Sequence, residues 1–239
     1  RIPLQSIFGA AFLMFACNRV SLNAFEPSLR HPQRLKRLLG PRPPSVETIG
    51  RVYAQMDPEP LRGMLASIAH QLKRNKVFEL SDKLPLRFAV VDGHEFFASY
   101  HRCCEECSQR VVQVNGEAKT QYYHRGVFVS LVGYELALVL DVEFCRAGEG
   151  EWPAAERLLR RVFANYPRFF DAVVGDELYA TAPFFNLCRE HSKHAVAVIR
   201  EGGTPVVPGN VAVYGAVTGV ISLVAAWWLR RRRPQTLAI

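Results

Sequence analysis

Two short apolar runs constrain what this chain can fold into more than any other feature: LRFAVVDG at residues 86–93 and FDAVVGDE at residues 170–177. Both are rich in β-branched residues and too short for a globular helix, so each predicts a buried strand. Each run also ends in an aspartate, Asp92 and Asp176. Strands that lie side by side in one sheet would bring these carboxylates together. Neighbouring carboxylates repel, and a divalent cation relieves the repulsion. Two such ions about 3.5–4 Å apart can activate a water or a 3′-hydroxyl and stabilise the leaving oxygen of a phosphodiester. Phosphoryl transfer needs mostly positioning and charge neutralisation, so a few carboxylates suffice. Against this stands a simpler reading, because aspartate before glycine is also a turn signature.

The rest of the pattern frames these two runs. Residues 1–82 predict helices. The apolar opening, IPLQSIFGAAFLMFAC, lacks a small-residue cleavage site and predicts a buried first helix rather than a signal peptide. LRHPQRLKRLLG stops at Gly40, and PRPP follows as a linker. Ser45 with Thr48 opens a helix carrying Ile49, Val52, Tyr53 and Met56. Asp57 and Pro58 cap the next, which carries Leu61, Met64, Leu65, Ile68 and Leu72.

From residue 86 the signal changes to strands. RGVFVSLVG and LALVLDVEF follow the first run across a turn near Gly133-Tyr134. AAERLLRRVFANY is helical, FDAVVGDE is a strand, APFFNLCREH is a helix with Pro183 in its first turn, and HAVAVIR is a last strand. A meander followed by βαβ crossovers predicts an α/β fold, a mixed sheet flanked by helices. Residues 95–123 stand as a cysteine-rich insertion between the first two strands.

The chain has 239 residues and a formal net charge of +8, which favours a polyanionic partner, nucleic acid or an anionic membrane surface. Six cysteines, three of them within residues 103–107, do not form the even framework of a small secreted domain. We expect an intracellular protein with thiols reduced or bound to metal. Cys104 and Cys107 have zinc-knuckle spacing, and His101 or Cys103, with His124, would complete four ligands for Zn²⁺. Packing of free thiols is the competing reading. In QYYHR, Tyr122 and Tyr123 could stack on a base, although core or sheet-edge packing is the favoured reading. Glu95 is read as a bystander, and Glu151 and Glu156 as surface or structural residues of the helix before the second aspartate strand.

Over residues 1–200 the chain resembles the insertion-sequence-four group of DDE transposases. The resemblance rests on SIFGAAFLMF, PSLR, PPSVETIGRVYAQMDPEPLRGML, VVDGHEFFAS with CCEEC behind it, QYYHRGVFVSLV, EWPAAERLL, VVGDELYATAPFFNL and HAVAVIR, in register. It implies a ribonuclease-H-like core at 86–201 behind an all-helical N-terminal domain. It also implies Mg²⁺ or Mn²⁺ as cofactor, and nicking and joining of transposon-end DNA. Asp92 and Asp176 correspond to the family's first two catalytic acids. Arg200 and Arg125 are the candidate phosphate contacts. The implied partners are transposon-end and target DNA and a second copy of the chain, in the cytoplasm near the nucleoid.

The resemblance fails at the end. The family's third acid, a glutamate on a helix after the last core strand, has no counterpart, and no Asp or Glu follows Glu201. Instead, residues 211–229 form a charge-free run with the length of a membrane span, ending in Trp227 and Trp228 and followed by arginines 230–233. A hydrophobic C-terminal helix is expected there, with a membrane as a further partner and location. The resulting expectation is a catalytically impaired transposase. The alternatives are a non-catalytic DNA-binding remnant and a single-span membrane protein.

Overall fold

The computed structural model describes residues 2–19, 21–29, 35, 37, 39–40, 42–79, 86–134 and 136–198. Arg200, Glu201, the apolar segment 211–229 and the arginines 230–233 lie outside the described residues. Among the described residues no helix is long and apolar enough to cross a membrane. The chain divides into two compact units after Pro60.

The first unit is helical. Helix α1 (Leu4–Ala16) buries Ile7, Ala10, Ala11 and Met14 at helical spacing. These pack with Phe25 and Leu29 of α2 (Leu22–Leu29) and Ile49 of α3 (Val46–Ala54). Helix α3 starts where the sequence signals it, with the Ser45 Oγ accepting from the Thr48 amide at 3.2 Å.

The second unit holds helix α4 (Glu59–Arg74) and a mixed sheet flanked by helices. Ala69 of α4 joins the sheet's core, so this helix packs with the strands although the sequence pattern changes only at residue 86. Strand β1 (Phe88–Ser99) is central. It pairs antiparallel with β3 (Glu117–Val132) on one side and parallel with β5 (Ala172–Gly175) on the other. On its far side β3 pairs first with β2 (Ser108–Val114) and then with β4 (Leu138–Phe144). Helix α5 (Glu151–Asn165) connects β4 to β5, and helix α6 (Ala182–Glu190) connects β5 to β6 (His194–Ala197), which lies parallel to β5. Helix α5 buries Ala154, Ala155, Leu158, Leu159, Val162 and Phe163, a stripe at helical spacing that faces the core.

Two polar devices fix this arrangement. Arg87 donates from Nε and Nη2 to the two carboxylate oxygens of Asp171 at 3.0 and 2.7 Å, and the Arg87 amide also reaches Asp171 at 2.9 Å. This fork ties the start of β1 to the start of β5 and so sets their register. On β4, the buried Asp141 takes Arg161 at 2.6 Å and Arg62 at 3.2 Å, clamping α4 and α5 onto the same strand.

The segment 95–123, expected as an insertion between strands, is largely strand itself. β1 runs through Asp92-Gly93 to Ser99, and β2 with β3 forms a hairpin around Asn115 and Gly116, both at positive φ. β1 accompanies β3 only from Tyr122 onward, so residues 117–121 of β3 pair with β2 alone as a two-stranded ribbon.

Candidate functional site

The register of β1 and β5 aligns the two aspartates. Phe88, Ala89 and Val90 face Ala172, Val173 and Val174, and Asp92 and Asp176 each stand two residues further along. Both therefore sit at the same level of neighbouring parallel strands, five residues beyond the Arg87–Asp171 fork. Asp92 is half-buried and stays in strand β1, paired with Phe128 of β3. Asp176 is exposed and ends β5. Its Oδ1 accepts from the Leu178 amide at 2.9 Å and so caps the 3₁₀ turn Glu177–Tyr179.

That turn lays Tyr179 against the end of β5. Gly175 makes room for it, since a Cβ there would meet the Tyr179 Cβ at 2.6 Å. The Tyr179 hydroxyl is buried and donates to Glu151 Oε1 at 2.8 Å. Burial raises this phenol far above its ordinary pKa, and the negative charges of Glu151, Asp176 and Asp92 raise it further. The hydroxyl therefore stays protonated and remains a donor.

Glu151 is the residue that the sequence reading missed. It opens helix α5, and its side chain is only 12 % exposed, with the carboxylate lodged over Gly93. A Cβ at position 93 would lie 2.2 Å from Glu151 Oε2. Arg125 Nη1 approaches the same carboxylate at 4.0 Å and Arg125 Nη2 donates to Glu95 at 3.2 Å. Arg110 also holds Glu95 bidentately at 2.8 and 3.0 Å, and that guanidinium keeps its carboxyl below the usual range. Glu156, by contrast, pairs with Arg160 one turn along the surface of α5. Three carboxylates, from β1, β5 and α5, therefore bear on one buried tyrosine. Their oxygens do not converge as tightly as a single-ion site with all ligands within 4.8 Å would require.

A second cluster lies at the base of the ribbon. Cys104 Sγ and Cys107 Sγ are 3.5 Å apart, and each is 3.3 Å from His124 Nε2. Among the described residues this is the one group of three or more His, Cys, Asp or Glu side chains close enough to hold a single metal ion. His101 and Cys103 fall outside it, and both are exposed. His101 sits in a turn where its amide donates to Ser99 Oγ at 3.2 Å. All the described cysteines are free thiols. Tyr123 packs under the guanidinium of Arg110, 4.7 Å from its ring centroid.

Compared with family models, with curated proteins and with solved structures, the chain matches none.

Proposed function

We propose that this chain is a DDE-type transposase core with a ribonuclease-H-like fold, which binds DNA and cleaves it with divalent metal. The observation that carries this reading is the shared level of Asp92 and Asp176 on adjacent parallel strands. The strand order supports it. A meander of β1, β3 and β4 is followed by two crossovers whose strands run parallel to β1, which gives the sequence β4-β3-β1-β5-β6 across the sheet. Five of the eight stretches of family resemblance, from VVDGHEFFAS onward, run along this sheet and its helices.

The donor set fits a hard cation. Carboxylates suit Mg²⁺ or Mn²⁺, and a divalent cation relieves the repulsion among neighbouring carboxylates. Bound metal would supply Lewis-acid activation of a nucleophile and charge neutralisation at the phosphate. The chain's own residues do the positioning. The Arg87–Asp171 fork holds the two strands level, and Tyr179 fixes the Glu151 carboxylate. Glu151 brings a third carboxylate beside the two aspartates from an element that precedes β5. Arg125, shared between Glu95 and Glu151, supplies positive charge for a DNA phosphate.

The test is nicking of supercoiled plasmid by the purified chain with Mg²⁺ or Mn²⁺. Metal-dependent nicking that is lost in both Asp92→Asn and Asp176→Asn is the expected result. Nicking that persists in Asp92→Asn would refute the proposal, and DNA binding with no nicking under any metal would leave a non-catalytic remnant.

A further inference from the structure

We propose that Cys104, Cys107 and His124 form a zinc site that pins the β1–β2 connection to strand β3 at the base of the ribbon. The three donor atoms make a nearly equilateral triangle with edges of 3.5, 3.3 and 3.3 Å. In a tetrahedral site with Zn–S about 2.3 Å and Zn–N about 2.0–2.1 Å, the S···S edge is about 3.8 Å and each S···N edge about 3.6 Å. The triangle therefore needs to open by only a few tenths of an ångström. Hydrogen bonding among two thiols and one imidazole would join the atoms as a chain. Here every pair is in contact, which is the arrangement of donors that share one ion.

The surroundings fit as well. Cys104 and Cys107 bracket a tight turn in which the Cys107 amide donates to the Cys104 carbonyl at 3.2 Å. The Cys104 amide donates to Cys107 Sγ, also at 3.2 Å. An amide donor at a sulfur orients it as an outer-shell partner of a metal ligand does. Two thiolates and an imidazole are soft and borderline donors, which select zinc over the hard cations suited to carboxylates. On binding, each thiol gives up its proton to solvent, and a fourth position remains on the ion.

The site also answers a structural need. Residues 117–121 of β3 pair only with β2, and Val111 of β2 is 70 % exposed, so the ribbon has almost no core of its own. A two-stranded hairpin is marginal in water unless something anchors it. The metal would anchor it where β1 ends, between the pairs Ser99–Tyr122 and Ser108–Tyr123. Because Arg125 follows His124 directly, the same anchor would steady the guanidinium that reaches Glu95 and Glu151.

The experiment is metal analysis of the full chain, purified reduced from zinc-supplemented cells, followed by Co²⁺ substitution. The expected result is about one zinc per chain, with Co²⁺ giving the thiolate charge-transfer band and intense visible bands of a tetrahedral site. Cys104→Ser and His124→Ala should lose both signals. Cys104 is exposed, so its serine variant tests the ligand with little disturbance of packing. Cys103→Ser should keep the metal, and Asp92→Asn should keep it too, which separates this site from the phosphoryl-transfer reading. Reduced wild-type chain without stoichiometric zinc, or full zinc retention by Cys104→Ser, would overturn the proposal.

Discussion

Replacing Gly93 with alanine tests the geometry of the acid cluster directly. The added methyl would sit 2.2 Å from Glu151 Oε2, 2.4 Å from its Cδ and 2.7 Å from its Oε1. Glu151 is the far end of a flexible side chain, so it yields before the sheet does. In yielding it leaves the Tyr179 hydroxyl, which it accepts from at 2.8 Å. That hydroxyl belongs to a residue only 1 % exposed, so water does not readily replace the lost partner. Loss of a hydrogen bond to a charged acceptor costs about 1.5–3 kcal/mol. Against this, exchanging glycine for alanine within a strand recovers roughly 0.5–1 kcal/mol of backbone entropy. The net loss is about 1–2 kcal/mol, or roughly 2–8 °C in Tm for a unit of this size. Thermal unfolding followed by circular dichroism measures it. The control is the same substitution in a Tyr179→Phe background, where no hydroxyl remains to be orphaned and the penalty should nearly vanish. An equal loss in both backgrounds would refute the placement of Glu151 over Gly93.

Two further outcomes follow from the rest of the second unit. Arg157 grips Glu149 bidentately at 2.5 and 2.9 Å and lowers its pKa from 4.5 to about 2. The pair therefore contributes its stabilisation in full above pH 4.5 and loses it as the pH falls toward 2; Glu149→Gln should remove roughly 1–3 kcal/mol at pH 7 and flatten an acid-denaturation profile across that window. Gly63 lies inside α4 with nothing within 4 Å of an added Cβ, so Gly63→Ala should stabilise the unit by about 0.5–1 kcal/mol in urea titrations.

The parts of the site carried by local pattern were legible in the sequence. β-branched runs marked β1 and β5, and the acids that close those runs marked the level where β5 ends beside β1. The Cys-x-x-Cys spacing marked two members of the thiol–imidazole cluster, and His124 a third. What failed were inferences that depend on partners distant in the chain. Asp92-Gly93 has the composition of a turn, yet β1 continues to Ser99, because Val127 and Gly126 of β3 supply cross-strand partners to Gly93 and His94. The ribbon did leave a signal. Asn115-Gly116 between alternating residues is a strong hairpin pair, and both residues take the positive φ that such a turn requires. Glu151 left almost none. Its role depends on where the N-terminus of α5 meets β1, and no periodicity encodes that. The nearest clue was the glycine beside Asp92, a position where a side chain is missing because something else fills the space.

That missing side chain also bears on why acids gather here at all. A fold gains nothing in stability by setting the carboxylates of Asp92, Asp176 and Glu151 around one buried phenol, since each raises the cost of the others. Tyr179 is neutral and gives Glu151 a single hydrogen bond, and Arg125 divides its charge between Glu95 and Glu151, standing 4.0 Å from the latter. Elsewhere in the same unit, acids are matched closely. Asp141 meets two guanidiniums within 3.2 Å, and Asp171 and Glu149 each hold a bidentate arginine. Arginines thus tie those acids into the fold. Gly93 and Gly175 meanwhile clear the space that lets Glu151 and Tyr179 close in. Carboxylates gathered at one level, on a frame fixed five residues away by the Arg87–Asp171 fork, are the setting in which the proposed divalent cations would bind.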